Sequence, residues 1–257
     1  MSTDTDRDQQ GAQKVFKKTF LLSNLFVVGV MIAVAIFIEH IHQSAAAEPP
    51  KKEEIIKVAA IGDSITSGSP DEEISRKENS YPTQLQLLLG DKYKVYNYGV
   101  SGRTLLSSGD EPYIVEKAYR DSLKINPDVV LIMLGTNDSK PINWSAEDYR
   151  RELIALISKY KNLVSKPDVY VMTIPPMFGE NDGTPTNFNK STAENEVVPI
   201  IRRVAKATNV PFIDIYEAMK NNPDLFLDGT HPNLKGSKAI AETVRKAIKK
   251  TASIGMI

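Results

Sequence analysis

The sequence contains no cysteine, and its histidines are limited to His40, His42 and His231. The lack of cysteine excludes disulfides, thiolate nucleophiles and zinc sites built on cysteine. The first two histidines border an apolar N-terminal segment, so His231 is the only imidazole in the body of the chain. A multi-histidine metal site is therefore excluded there, and we predict no metal or other cofactor. A general base that works near neutral pH has one obvious candidate, His231.

Net charge is also lacking, because 32 Lys and Arg residues balance 32 Asp and Glu residues. Nucleic-acid binding needs a basic surface, so this balance gives no sign of a nucleic-acid partner. The length of 257 residues and the hydrophobic content of 41% suit one large or two small domains. Composition therefore excludes some functions and selects none.

An uncharged apolar segment, FLLSNLFVVGVMIAVAIFI, occupies residues 20–38. At helical rise such a segment spans about 30 Å, the thickness of one hydrocarbon core. Lysines precede it and Glu39 follows it, so the positive-inside bias places residues 1–19 in the cytoplasm. We predict a transmembrane signal anchor at 20–38, with the body of the protein in the periplasm or outside the cell. The small residues AAAE at 45–48 leave a cleaved signal peptide open, and the protein would then be secreted.

Residues 39–54 are predicted to be a linker, because small residues, a proline pair and charges dominate there. From Ile55 to the end at 257, compact apolar runs alternate with helical patterns. The apolar runs lie at 55–61, 93–98, 128–135, 168–174 and 210–215. The helical patterns lie at 81–89, 110–124, 145–164, 193–207 and 233–250. Nearly continuous apolar strands between helices predict one α/β domain over 55–257, with a parallel sheet covered on both faces.

Small and polar residues follow these strands, at the sheet edge where open parallel sheets bind ligands. GDSITSG follows the first strand, GVSGRT the second and GTND the third, and DGTHP precedes the last helix. Because the carboxyl ends of parallel strands share one edge, we expect the four motifs to meet there. They contribute the small or polar groups Ser64, Gly102, Asn137, Asp228 and His231.

These groups can take complementary roles in ester chemistry. A serine hydroxyl is a weak nucleophile until a base removes its proton, and His231 is the only suitable base for Ser64. Asp228 lies three residues before the histidine and can hold its far nitrogen in one tautomer. Attack on an ester carbonyl creates an oxyanion that needs two or three fixed donors. The backbone N–H groups of Ser64 and Gly102 and the side-chain amide of Asn137 can supply them.

The four motifs, in this order and at the strand ends, resemble the ordered blocks of the SGNH, or GDSL-type, hydrolase family. The likeness covers essentially the whole of 55–250. It implies a flavodoxin-like three-layer α/β/α sandwich with a five-stranded parallel sheet, here preceded by one N-terminal transmembrane helix. It also implies the catalytic and oxyanion-hole roles assigned above. The nucleophile elbow of α/β-hydrolases differs, because Thr66 stands where G-x-S-x-G has its second glycine.

The stretches YNYGVSGRTLL, GDEPY and LGTNDSKPINW resemble the branch of carbohydrate or sialate O-acetylesterases. The resemblance implies a serine esterase that removes small acyl groups, above all acetyl, from a glycan or small-molecule ester through an acyl-enzyme. A lysophospholipase or short-chain arylesterase remains open, and so does an acyltransferase that uses the same acyl-enzyme. A non-catalytic glycan-binding module is a further alternative, which the intact serine, histidine and aspartate disfavour.

Each motif residue also has a structural explanation when it is taken alone. Ser64 can cap the helix after the first strand, and Asn137 suits an Asx turn. His231 before Pro232 resembles a helix start. All four motifs would have to be coincidental for these explanations to hold together, so we favour the catalytic interpretation.

Other residues near the motifs are interpreted more plainly. Asp63 and Asp138 are predicted to brace turns and loops rather than to catalyse. Arg103 and Trp144 lie beside the proposed donors and suit either substrate contact or packing. The long segment 175–191, rich in Gly, Pro and Asn, follows the fourth strand. Such loops often shape a pocket, although a surface excursion explains it nearly as well.

Overall fold

The computed structural model describes residues 4–45, 54–68, 78–179, 184 and 187–254. The chain divides into two units, Met1–Glu53 and Glu54–Ile257. The first unit contains helix α1 (Asp4–Ala45), which is helical beyond the predicted anchor on both sides. Its segment Lys17–Ile41 is long and apolar enough to cross a membrane, a property that anchors and signal sequences share. The remainder of the predicted linker, residues 46–53, lies outside the described residues.

The second unit is built on a five-stranded sheet whose order is β2-β1-β3-β4-β5. The strands are β1 (Ile56–Gly62), β2 (Tyr93–Gly99), β3 (Val129–Met133), β4 (Asp168–Met172) and β5 (Phe212–Ile213). Every neighbouring pair is parallel. This order is the flavodoxin-like one, so the predicted α/β class and sheet are confirmed.

Helices cover both faces of the sheet and complete the three layers. They are α2 (Ser64–Ser67), α3 (Tyr81–Leu89), α4 (Lys117–Lys124), α5 (Ala146–Lys161), α6 (Lys190–Thr192), α7 (Val198–Ala207), α8 (Ile215–Met219) and α9 (Leu234–Ile254). Helices α3 and α9 pack together over one face, and the buried stripe Ile240, Val244 and Ile248 docks α9 there. Helices α5 and α7 pack against each other in the apolar cluster on the other face.

Strand β5 and helix α4 differ from their predicted bounds, and local chemistry explains both differences. Strand β5 has two residues rather than six, because the Asp214 side chain caps α8 and so ends the strand at Ile213. The sequence analysis did not predict α8. Helix α4 begins at Lys117 rather than near residue 110, because a 3₁₀ turn, Tyr113–Val115, precedes it. Between residues 111 and 113 the backbone forms hydrogen bonds with Thr104 instead of helical ones. The Thr104 N–H donates to the Glu111 carbonyl oxygen, and the Tyr113 N–H donates to the Thr104 carbonyl oxygen.

The strand order creates one crevice at the carboxyl edge of the sheet. The chain leaves β1 towards β2 on one side, whereas β3 and β4 continue on the other side. In such sheets the ligand crevice lies at this switch point, between β1 and β3. Ser64 follows the last residue of β1 by two positions and Asn137 follows β3 by a few, so the fold places two predicted site residues beside that crevice.

Candidate active site

Ser64 is the first residue of the short helix α2, which begins directly after β1 and its cap Asp63. A Cβ at Gly62 would collide with the Thr66 side chain and the Met133 carbonyl, so only glycine allows the strand to end so close to its neighbours. Asp63 is the helix cap, because its Oδ1 accepts the Ile65 N–H at 3.0 Å. The alternative that Ser64 is the capping residue is therefore wrong, and its hydroxyl is left for another partner.

That partner is His231, whose Nε2 lies 2.9 Å from Ser64 Oγ. The other ring nitrogen, Nδ1, lies 2.7 Å from Asp228 Oδ2. Asp228 Oδ1 accepts the backbone N–H groups of Thr230 at 2.9 Å and of His231 at 2.7 Å. The structure thus brings the three predicted side chains into one hydrogen-bonded row, although 167 positions separate the serine from the histidine.

The surroundings keep the Asp228 carboxylate charged. Partial burial alone would raise its pKa, but the N–H donors of His231 and Thr230 outweigh burial and lower the pKa below the usual range. The His231 side chain is 15% exposed and that of Asp228 is 54% exposed. Asp228 therefore stays a hydrogen-bond acceptor through the pH range in which imidazoles titrate, and it can fix the ring tautomer.

Of the two other predicted oxyanion donors, Asn137 contacts the residue that follows Gly102. Asn137 Nδ2 donates to the carbonyl oxygen of Arg103 at 3.1 Å, one residue after Gly102. An amide nitrogen carries two hydrogens, so the second can serve a ligand. Gly102 has φ of +83°, and a Cβ there would meet no atom within 4 Å. Its backbone conformation, rather than crowding by the protein, favours glycine at this position.

Two buried carboxylates, those of Asp63 and Asp138, accept backbone N–H groups next to the site residues. Asp138 accepts the backbone N–H groups of Leu105 at 3.0 Å and Leu106 at 2.8 Å, which confirms its bracing role. Burial, and to a smaller extent the nearby Asp63 charge, raise the pKa of Asp138 to about 7, although the Leu105 and Leu106 N–H donors lower it. Burial likewise raises the pKa of Asp63 to about 6.

The ambiguous residues beside the site are engaged in structural contacts. Arg103 Nε donates to Glu116 at 2.9 Å, and its guanidinium also lies 3.3 Å from Glu111. Trp144 donates its indole N–H to Glu196 at 2.9 Å, and its ring lies 5.3 Å from that of Tyr149. These contacts favour packing over substrate binding for both. Within the described residues, no group of three or more His, Asp or Glu side chains lies close enough to hold a metal ion.

The sequence analysis missed Phe188, an aromatic residue in the loop 175–191. Its ring centre lies 6.3 Å from that of His231, at an interplanar angle of 72°. The Phe178 N–H, from the start of the same loop, donates to the Gly229 carbonyl oxygen at 2.7 Å. Both ends of the loop therefore contact the DGTHP motif, as a pocket-shaping loop would, while residues 180–183 and 185–186 lie outside the described residues. A lone aromatic in the polar stretch PTNFNKS was the available signal.

Comparison with known proteins identifies a family and several relatives of this chain. Residues 60–239 match the model of the GDSL-like Lipase/Acylhydrolase family. The chain is 39% identical over 220 residues to an acetylxylan esterase of Xylanibacter ruminicola, covering 78% of this chain and 45% of that protein. It is 30% identical over 209 residues to a multidomain esterase of Ruminococcus flavefaciens, covering 70% of this chain and 27% of that one. The chain spans less than half the length of these curated relatives.

A solved structure of an acetyl xylan esterase superposes with a TM-score of 0.59 at 27% identity, covering 75% of this chain and 100% of that one. This agreement supports the three-layer fold described above. The family match includes all four strand-end motifs and well over half of the chain. The predicted family is thereby confirmed. The chain belongs to the GDSL-like lipase/acylhydrolase family.

Proposed function

We propose that this protein is a serine esterase that removes acetyl groups from carbohydrate through an acyl-enzyme. The observation that carries the proposal is the continuous row from Ser64 Oγ to His231 and on to Asp228, with separations of 2.9 and 2.7 Å. Family membership supports ester hydrolysis. The acetylxylan esterase relative and the acetyl xylan esterase structure support the acyl group and the carbohydrate acceptor.

The first half of the reaction transfers the acetyl group to the enzyme. As Ser64 Oγ attacks the ester carbonyl carbon, His231 Nε2 takes the hydroxyl proton. The carbonyl oxygen becomes an oxyanion, which the backbone N–H groups of Ser64 and Gly102 and the amide of Asn137 are proposed to receive. The intermediate then collapses: the bond to the sugar oxygen breaks, that oxygen takes the proton from Nε2, and acetyl-Ser64 remains.

The second half regenerates the enzyme with water. His231 Nε2 takes a proton from a water molecule whose oxygen attacks the acetyl carbonyl carbon. The second tetrahedral intermediate releases acetate as the bond to Ser64 Oγ breaks, and the serine oxygen recovers its proton from the imidazole. Asp228 remains ionised throughout and stabilises the imidazolium that forms in each half.

The nucleophile can be tested directly with a fluorophosphonate probe and an acetate-release assay. Wild-type protein should take up the label and release acetate from acetylated xylo-oligosaccharides, whereas Ser64→Ala should do neither. Ser67→Ala is the matched control, because Ser67 lies in the same short helix and its hydroxyl bonds to the Ser101 hydroxyl and the Ser64 carbonyl oxygen, not to His231. Equal labelling of wild type and Ser64→Ala would place the nucleophile elsewhere.

The acyl group can be tested with a series of p-nitrophenyl esters of increasing chain length. A sharp preference for acetate supports a deacetylase. A rise in kcat/KM towards longer chains would instead favour the lysophospholipase or arylesterase alternative. Adding a sugar acceptor separates hydrolysis from transfer, because a transferase would convert the acetyl donor into a new sugar ester rather than into free acetate.

We also propose that α1 anchors the enzyme, with residues 1–19 in the cytoplasm, 20–38 in the membrane, 39–54 as a tether and the domain 55–257 outside the cytoplasm. The apolar stretch of α1 supports a membrane segment. Protease added to intact cells or spheroplasts should degrade the domain, and detergent should be needed to extract the full chain. Recovery of a soluble form that begins after residues 45–48 would show cleavage instead.

A further inference from the structure

The imidazole of His231 determines where the leaving alcohol lies. In the proposed mechanism, Nε2 delivers its proton to the sugar oxygen, so that oxygen must come within hydrogen-bond reach of the ring. The sugar ring attached to this oxygen is then a neighbour of His231. Phe188 is an aromatic neighbour of that imidazole, with its ring centre 6.3 Å away, and it is only partly buried.

Neighbouring groups hold Phe188 in place. Lys140 Nζ lies 5.9 Å from the centre of the phenyl ring, a cation–π distance, and pairs with Asp110 at 3.1 Å. The next residue, Asn189, donates its backbone N–H to Ser139 Oγ at 3.3 Å. Asn189 Oδ1 also accepts the Thr192 N–H at 3.0 Å and so caps α6. A surface fixed in advance costs little entropy when a ligand packs on it.

The chemistry around Phe188 suits a sugar rather than a plain hydrocarbon. A pyranose presents apolar C–H groups on its faces and hydroxyls around its edge. The phenyl ring offers an apolar surface to the first, and the ion pair of Lys140 and Asp110 beside the ring provides polar groups of the kind that hydrogen-bond the second. Trp144 does not compete for this role, because its ring packs on Tyr149 and its N–H bonds to Glu196.

We propose that Phe188 forms the wall of the subsite that holds the leaving sugar, and that it selects acetylated sugar rings over simple alkyl acetates. This inference rests on the proposed function and deepens it. Phe188 contacts substrate in this scheme, so its removal should weaken the use of sugar esters specifically. A residue that only steadied His231 would affect every ester equally.

The test compares two substrates with the same acetyl group and different leaving alcohols, acetylated xylo-oligosaccharides and ethyl acetate. Phe188→Ala should lower kcat/KM for the sugar ester by roughly three- to thirtyfold relative to ethyl acetate, the scale of an aromatic contact with its burial. Phe188→Trp should retain the ratio within about threefold. Phe212→Ala is the control, because that ring is 47% exposed on the edge strand β5. It should leave the ratio unchanged.

Equal losses on both substrates, or a shifted pH profile with ethyl acetate, would overturn the inference, because Phe188 would then act only through the imidazole. An unchanged ratio in Phe188→Ala would also overturn it. If Phe188→Ala does not fold, Phe188→Leu keeps an apolar side chain and should show a smaller loss in the same direction. Wild-type protein that hydrolyses ethyl acetate but no sugar acetate would refute the proposed function itself, a result distinct from failure of the Phe188 variants.

Discussion

Replacing Asp228 by asparagine tests whether this side chain sets the tautomer of His231. The two carboxylate oxygens have different partners. Oδ1 accepts the backbone N–H groups of Thr230 and His231, and Oδ2 faces Nδ1 of the His231 ring. Asparagine can keep the first two bonds through its own oxygen, so the loop should retain its shape. Its NH₂ group would face Nδ1 and donate, which moves the ring proton to Nε2. That nitrogen could then no longer accept the Ser64 proton.

The expected loss follows from this reversal. A wrong tautomer with preserved geometry costs about 10⁴ in turnover at a serine–histidine–aspartate site. The Asp228 side chain is 54% exposed, so water can compete with the amide for Nδ1 and reduce the loss. We therefore expect kcat/KM for ethyl acetate to fall by about 10³, or about 4 kcal/mol of transition-state stabilisation.

The assay is the initial rate of acetate release, with thermal unfolding of each variant as a check on folding. Asp224→Asn is the matched control, because Asp224 is exposed and precedes the same motif. It should retain wild-type kinetics. If Asp228→Asn unfolds like the wild type yet stays within about tenfold of its kcat/KM, the carboxylate does not set the tautomer. The role proposed for Asp228 would then be wrong.

Three further predictions concern the groups around this row. Asn137→Ala should lower kcat by roughly 10²–10³, and an unchanged rate would remove it from the oxyanion hole. Gly102→Ala should cost about 1–2 kcal/mol in chemical unfolding because of its φ of +83°. Burial raises the pKa of Asp63 to about 6, so its contribution to stability is complete below the usual value of 3.8 and is lost as pH rises through about 6. The melting temperature should therefore fall as pH rises, and Asp63→Asn should make this fall shallower, with the buried Asp138 responsible for the remainder. A fall as steep as in the wild type would contradict the raised pKa of Asp63.

The sheet could be predicted where sequence determines burial directly. Strands β1 and β3 begin and end within two residues of the predicted limits, because their aliphatic runs are buried on both faces. Strand β5 was predicted too long, since apolar residues alone do not reveal that Asp214 will cap the next helix. Hydrophobicity identifies a strand, whereas side-chain hydrogen bonds to the backbone decide its last residue.

The site was predictable to the extent that its chemistry lies in local motifs. Ser64 and His231 could be paired in advance because the body of the chain has one imidazole and because parallel strands share a carboxyl edge. Phe188 could not be found in this way, since its contact with His231 depends on the path of a loop that begins after β4. The path of a loop follows no sequence periodicity. Phe188 could therefore be seen in the sequence, but its position beside His231 could not be predicted.

The 3₁₀ turn Asn137–Ser139 explains how separate motifs become one site. Its three consecutive side chains hold two segments. Asn137 donates to the Arg103 carbonyl oxygen and Asp138 accepts the backbone N–H groups at 105–106, whereas Ser139 Oγ accepts the N–H of Asn189. The turn thus ties the proposed oxyanion donors to the end of β3 and the Phe188 loop to the same support. Because one short element anchors both sides of the crevice, the geometry at the reacting carbonyl and the surface for the leaving alcohol are physically linked. The proposed selection of the alcohol can therefore be changed by substitutions in the loop 175–191, which contains none of Ser64, Asp228 and His231.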